Sequence, residues 1–322
     1  MEAPPAGEQR PPQSSPAAPA DRPASASQAP AAPAEAPSLP ARFPAPARLV
    51  AIGDVHGDLA ATRRALRLGG AIDEQDRWVG GSLVVVQTGD QLDRGDDEQA
   101  ILDLFERLRV EATAAGGAFH ALNGNHELMN VAGDLRYVTP GGFADFEGIE
   151  GLRLDDPALA RLPPQARPRA AAFLPGGPYA RLLAQRNTVV VVGASVFVHG
   201  GVLPRHVPRG VADLERINAD VRQWLVGGDD HGTLERDVMP EDGVVWTRLY
   251  AGDDAQACEQ LGQALGRLQV ERMVVGHTVQ QHGITAGCDG KVWRIDVGLA
   301  AHYGGPTQVL VIEGEEVQPL AG

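Results

Sequence analysis

A layered α/β domain is the fold class this sequence predicts, on three observations. Short runs of β-branched and other apolar residues end, one after another, in glycine-containing turns. Stretches with apolar residues at helical spacing separate the early runs. The two kinds of segment alternate, and alternation is what packs helices against a sheet.

The elements follow in chain order. Arg48–Ile52 leads into Gly53-Asp54, Ser82–Thr88 into Gly89-Asp90, and Ala118–Leu122 into Asn123-Gly124-Asn125. Ser195–Val198 leads into His199-Gly200-Gly201, and Arg272–Val275 into Gly276-His277. Runs this short and this uniformly apolar suit strands buried on both faces. Between the first two lies an amphipathic stretch, Leu59 to Leu68. After the second, Glu98 to Val110 puts Ile101, Leu102, Phe105 and Leu108 on one helical face. From 133 to 186 the chain is rich in Pro, Gly, Arg and Phe with only short helical patterns, and is expected to be an insertion lying over the core as a lid. Lys291 to Glu313 reads as two further strands around Asp296–Gly305.

Composition sets the boundaries of this domain. Thirteen of the 25 prolines lie in residues 1–47, with Ala, Ser and Gln filling most of the rest. Such a segment buries too little apolar surface to offset its backbone entropy, so a disordered tail is expected there and a single domain over 48–322. The charge balance, 28 basic against 42 acidic residues, gives −14, and Lys291 is the one lysine. No basic cluster stands out, which argues against a nucleic-acid partner. The acidic surface argues against anionic membranes, and no apolar run approaches the length of about 18 residues that a spanning helix needs. Cys258 and Cys288 have no metal-like spacing and are too few for a disulfide framework. A reduced, cytoplasmic chain is the expectation, replaced by a periplasmic or exported one if a signal segment was removed ahead of Met1. Oligomeric state is open.

The chemistry gathers at the strand ends. Asp54 and His56 stand two residues apart on an extended turn. Asp90, Asn125, His199 and His277 each follow a further strand. A lone Gly-Asp, His-Gly or Asn-Gly is ordinarily just a turn. Five strand ends that each deliver a ligand-capable side chain beside a glycine, with four of the nine histidines (His56, His126, His199 and His277) at those ends, are another matter. Carboxylate, imidazole and amide oxygen together suit divalent Mn, Fe or Zn. Asp90 has two oxygens and can bridge two ions, and a pair about 3.5–4 Å apart clamps a phosphoryl group and sharpens a water into a nucleophile. His120, His206, His231 and His302 read as surface or core residues, and His282 has no visible partner.

At this point the motifs carry a resemblance. GDVHGD at Gly53–Asp58, GDQLDRG at Gly89–Gly95, GNHE at Gly124–Glu127, HGG at His199–Gly201 and GHT at Gly276–Thr278 resemble, in order and spacing, the phosphoprotein phosphatase branch of the calcineurin-like metallophosphoesterases. MNVAGDLRYVTPGGF after GNHE, VWTR at Val245–Arg248 and RIDVGLAAHYGG at Arg294–Gly305 are similar to bacterial Shewanella-like phosphatases. The sequence departs from the eukaryotic Ser/Thr enzymes in lacking a SAPNY-type motif near its C-terminus.

The resemblance implies a sandwich of two mixed sheets flanked by helices. It implies one ion on Asp54, His56 and Asp90, and a second on Asp90, Asn125, His199 and His277. It makes His126 the general acid, Asp93 the carboxylate that holds its imidazole, and Arg94 a clamp on phosphate oxygens, with Arg248 a second candidate for that clamp. The implied reaction is hydrolysis of phosphate monoesters by metal-activated water, without a phosphoenzyme. Neither cysteine is followed by the loop that a cysteine phosphatase needs. A phosphoprotein, with phosphotyrosine ahead of phosphoserine or phosphothreonine, is the implied substrate. A dinucleoside polyphosphate hydrolase and a metal-binding protein without activity remain as alternatives.

Overall fold

The computed structural model describes residues 36–322. The expected Pro-rich tail lies, for residues 1–35, outside the described residues. Its last stretch, however, is part of the domain. Ala41 is fully buried, and β1 (Arg42–Phe43) pairs in parallel with β5 (Val189–Val192), Arg42 opposite Val191 and Phe43 opposite Val192. The boundary expected at 47 therefore moves toward the N-terminus. The partner strand lies far along the chain, so local Pro-rich composition could not announce it.

Two mixed sheets form the frame. The first has the order β11-β10-β2-β3-β4, built from β2 (Leu49–Ile52), β3 (Val84–Gln87), β4 (Ala118–Ala121), β10 (Gln308–Glu313) and β11 (Glu316–Ala321). Here β2, β3 and β4 run parallel, and β10 is antiparallel to both its neighbours. The second sheet has the order β1-β5-β6-β7-β9-β8, with β6 (Ser195–Val198), β7 (Arg272–Val275), β8 (Thr285–Gly287) and β9 (Val292–Arg294). In it β6, β7 and β9 are parallel.

Side-chain alternation explains why the strands are apolar throughout. In β2, Val50 and Ile52 face outward into a core shared with Ala61, Leu66 and Phe105 from α1 (Leu59–Leu68) and α2 (Glu98–Ala114). Leu49 and Ala51 face inward, against Val190, Phe197 and Val274 of the other sheet. In β5, Val190 and Val192 point between the sheets. Val189 and Val191 point outward to a core that includes Leu214, Ile217 and Val221 of α7 (Val211–Leu225) and Leu261 of α8 (Ala255–Leu268). β2 and β5 thus have two buried faces, as their composition requires. The start of α1 is set by Asp58, whose side chain accepts the Ala61 N–H at 2.8 Å as an N-cap.

Part of the segment 133–186 is a packed helical layer, and its Tyr137 reaches His126 at the strand ends. After α3 (Asn125–Val131) it forms α4 (Pro140–Ala144), α5 (Arg167–Phe173) and α6 (Pro178–Leu183). Phe146, Phe173 and Tyr179 meet with ring centroids 5.0–5.5 Å apart inside the core. Burying three aromatic rings anchors the segment as core. The cysteines also depart from expectation: Cys258 on α8 and Cys288, in the turn between β8 and β9, form a disulfide with their Cα atoms 5.3 Å apart. Their 30-residue separation carries no local signal. Among the described residues no helix is long and apolar enough to cross a membrane.

Candidate metal centre

Parallel strands end at the same edge, so β2, β3 and β4 deliver their following residues to one place, and β6, β7 and β9 deliver theirs opposite. Asp54, His56, Asp90, Asn125, His199 and His277 all meet there, and all six are buried. Two groups of donor atoms share Asp90: His56, Asp90 and His126 on one side, and Asp90, His199 and His277 on the other. Asp90 Oδ2 lies 3.7 Å from His56 Nε2 and 3.2 Å from His199 Nε2. Asp54 stands between them, with Oδ2 3.9 Å from His56 Nε2 and Oδ1 3.9 Å from His199 Nδ1.

The backbone fixes which nitrogen each ring presents. His56 Nδ1 is 3.0 Å from the Leu92 carbonyl, His199 Nδ1 is 3.1 Å from the Thr88 carbonyl, and His277 Nε2 is 3.0 Å from the Trp246 carbonyl. A carbonyl only accepts, so these nitrogens carry the protons and donate them. The remaining lone pairs, on His56 Nε2, His199 Nε2 and His277 Nδ1, all face inward. His199 Nε2 then sits 3.1 Å from His277 Nδ1 and 2.8 Å from Asn125 Oδ1. Lone pairs and carboxylates this close repel unless a cation lies among them. The outward N–H to carbonyl bonds are those that orient metal-ligating histidines. The residues present therefore fit divalent metal ions.

The titration of His56 and His277 agrees with neutral imidazoles. Burial pulls the His56 pKa down to about 4, against the opposing charge of Asp90. Burial, with His199 adjacent, pulls His277 to about 2. Burial, then the charges of Asp296 and Asp90, push Asp54 well above the usual carboxylate range. For Asp90 burial works upward, but a positive charge beside it, on His199 or His126, outweighs burial and brings it well below that range. So much negative charge out of water calls for a compensating cation.

Close approach requires glycine at two motif positions. A Cβ on Gly124 would collide with Asp90 Oδ1, and one on Gly276 with Asp54 Oδ1. Glu127, the last residue of GNHE, is an organiser. Its two oxygens accept the N–H groups of Gly124, Asp90, Gln91 and Leu92 at 2.7–3.1 Å, pinning the α3 start to the loop after β3. That role was not legible from the motif. Nor was that of Asp296, buried beside Asp54 after β9, its own pKa raised by burial to about 6. Asp90, Asp93, Arg94, His56 and His277 all take positive φ, between 39° and 68°, which for non-glycine residues costs energy that functional sites commonly store.

The remaining expected residues surround this centre. His126 Nδ1 is 2.5 Å from Asp93 Oδ2. Burial lowers the His126 pKa, but the Asp90 charge and the Asp93 hydrogen bond outweigh it, and the net shift is upward. The Arg94 guanidinium lies 4.5 Å over the Tyr137 ring and 5.4 Å from Tyr303, and its Nε has no hydrogen-bond partner among the described residues. Its Nη1 is 3.4 Å from His302 Nε2, so His302 belongs to the rim of the site. Tyr303 packs on His56 and Tyr137 on His126, with centroids 5.5 and 5.1 Å apart, and both tyrosines stay 37% exposed. Arg248 donates from Nη1 to the His277 carbonyl and to Thr278 Oγ1, both at 2.8 Å.

Comparison with known proteins now decides the family. The calcineurin-like phosphoesterase family matches residues 47–281. The chain belongs to that family. It is 43% identical over 287 residues to "Shewanella-like protein phosphatase 2" of Arabidopsis thaliana, covering 80% of this chain and 73% of that protein. It is 28% identical to "Shewanella-like protein phosphatase 1" of Plasmodium berghei, over 80% of this chain and 69% of that one. A solved structure, the cold-active protein-tyrosine phosphatase of a psychrophilic Shewanella species, superposes with a TM-score of 0.67 at 25% identity, over 88% and 82% of the two chains. This calcineurin-like phosphoesterase of the Shewanella-like type is thus a metal-dependent phosphatase. The alternative of a metal-binding protein without activity falls away.

Proposed function

We propose that this phosphatase removes phosphate from proteins at a two-metal centre, with phosphotyrosine its preferred side chain. The observation that carries the two-metal part is Asp90, which belongs to both groups of converging donors. When bound, two divalent ions would polarise the phosphoryl oxygens and lower the pKa of the attacking water. Asp54, His56 and Asp90 would hold one, and Asp90, Asn125, His199 and His277 the other.

The chain's own residues supply the rest. Arg94, stacked on Tyr137 and without an Nε partner among the described residues, would take the phosphate oxygens in its planar fork. Arg248, tied to the loop that carries His277, would border the same oxygens. His126 would hold a proton on Nε2 for the leaving oxygen, steadied through Nδ1 by Asp93. The exposed faces of Tyr137 and Tyr303 beside Arg94 support a planar aromatic leaving group, and the Shewanella relative's description as a protein-tyrosine phosphatase supports the same substrate. The disulfide supports maturation where thiols are oxidised, such as a periplasm, over the reducing cytoplasm.

The test is a panel of phosphotyrosine peptide, phosphoserine peptide and diadenosine tetraphosphate, with manganese supplied and wild type run beside His126→Asn. Fastest turnover on phosphotyrosine is expected. His126→Asn should keep both ions and lose roughly 10²–10⁴-fold in kcat on phosphotyrosine. Diadenosine tetraphosphate as the best substrate would overturn the protein assignment. Loss of one ion on mutation would make His126 a ligand, a role its place beside His56 and Asp90 also permits.

A further inference from the structure

We infer that Arg169, carried by the helical segment between residues 133 and 186, is a positioning residue for the leaving-group acid; the inference rests on the role proposed above for His126. Arg169 is fully buried on α5, far in sequence from every motif. Its five N–H donors have five acceptors. Nε donates to Asn130 Oδ1 at 2.8 Å, Nη1 to the Gly142 carbonyl at 2.8 Å and to Glu98 Oε2, and Nη2 to Glu98 Oε1 at 3.0 Å and Asp93 Oδ1 at 3.2 Å. Phe146 and Phe173 pack against the guanidinium, with centroids 4.8 and 5.4 Å away. Lysine cannot reproduce this fork.

The pattern converges on both ends of Asp93. Its Oδ1 receives Arg169 and Asn130 Nδ2, the latter at 3.0 Å, which leaves Oδ2 turned to His126. Its backbone N–H donates to Glu98 Oε1, and Glu98 is itself held by Arg169. The bond from Arg169 Nε to Asn130 Oδ1 also fixes the Asn130 amide, so that its Nδ2 faces Asp93 and the His126 carbonyl, 2.9 Å away. Asp93 sits at φ 68° and Arg94 at φ 67°. Consecutive non-glycine residues rarely hold that conformation, and this network holds it. Arg169 touches neither the converging metal donors nor the space where substrate would bind, so its effect must pass through Asp93 to the imidazole.

The experiment uses the full chain with metal bound. Arg169→Met, His126→Asn and the double variant are assayed on phenyl phosphate and p-nitrophenyl phosphate, two rings of similar size whose leaving oxygens differ in their need for a proton. Arg169→Met should lower kcat on phenyl phosphate by roughly 10–100-fold, the range for groups that orient an active residue. It should leave KM, metal content and p-nitrophenyl phosphate turnover within about threefold of wild type. In the His126→Asn background it should add no further loss on phenyl phosphate. Equal losses on both substrates, or losses that multiply in the double variant, would show a role in general packing and overturn the inference. If Arg169→Met does not fold, Asn130→Ala must show the same substrate dependence to a smaller degree, and its failure to do so counts equally against the inference. His126→Asn without any leaving-group dependence would instead bring down the acid assignment itself.

Discussion

Replacing both cysteines by serine tests the one covalent crosslink of the described structure. The Cys258–Cys288 bond closes a loop of 30 residues and ties α8 to the β8–β9 turn. In the chain-entropy relation the loss on cutting it is 298 K multiplied by the sum of 2.1 and 1.5R ln n, or about 3.6 kcal/mol for a loop of that length. Unfolding entropy of about 2.1 cal/mol/K per residue, over the ordered part of the chain, comes to about 0.6 kcal/mol/K. The melting temperature should therefore fall by about 6 °C. The rest of the region keeps its contacts, because Arg294 still donates to the Gly252 carbonyl at 3.0 Å and Leu261, Ala264, Leu265 and Leu268 stay buried. Differential scanning fluorimetry at fixed metal concentration, on wild type with and without reductant and on the double serine variant, measures the shift. Thiol trapping after denaturation counts the free cysteines. Two free thiols in non-reduced protein, or a shift under about 1 °C with the bond intact in wild type, would refute this account of what the bond does.

Two further outcomes follow from the site and the core. Asp90→Asn removes the charge shared by both donor groups, so elemental analysis should find both ions depleted together, with turnover falling in step; one ion kept at full occupancy would deny the bridge. His206, fully buried, accepts the Leu203 N–H through Nδ1 at 3.0 Å, and burial lowers its pKa from 6.5 to about 4. The folded pKa lies below the unfolded one, so the native state is stabilised above pH 6.5 and that stability is lost as pH falls toward 4. The loss amounts to about 2.5 kcal/mol at pH 4.5. Urea unfolding of wild type and His206→Asn at pH 7 and 4.5 should show a smaller acid loss in the variant; parallel losses would assign the effect to other groups.

Much of this was legible in the sequence, and the rest fails for identifiable reasons. Leu59–Leu68 and Ser195–Val198 have in the structure the bounds their patterns predict, because amphipathic spacing and a buried apolar run are local signals. The converging side chains were legible because each stands beside a glycine at a strand end. β1 was not, since two residues among prolines become a strand only through β5. Arg169 sits in the sequence Arg-Pro-Arg, which reads as solvated; its acceptors come from residues 27 to 76 positions away, and only the fold assembles them. His302 looked unremarkable for the same reason: Arg94, its neighbour in space, lies 208 positions earlier.

The converging donors come from two different sheets. Asp54, His56, Asp90 and Asn125 follow strands of one, His199 and His277 strands of the other, and between the sheets lies a single apolar layer that includes Ala51, Val86, Phe197 and Val274. The separation of the two sets of donors is therefore set by the thickness of a hydrocarbon layer behind them. A methylene added at Ala51 would act as a wedge whose far end opens at the converging donors, and affinity for divalent ions would register a change in packing that no polar residue had undergone. Natural variation in this layer thus offers a way to tune metal preference while every residue of the five motifs stays the same.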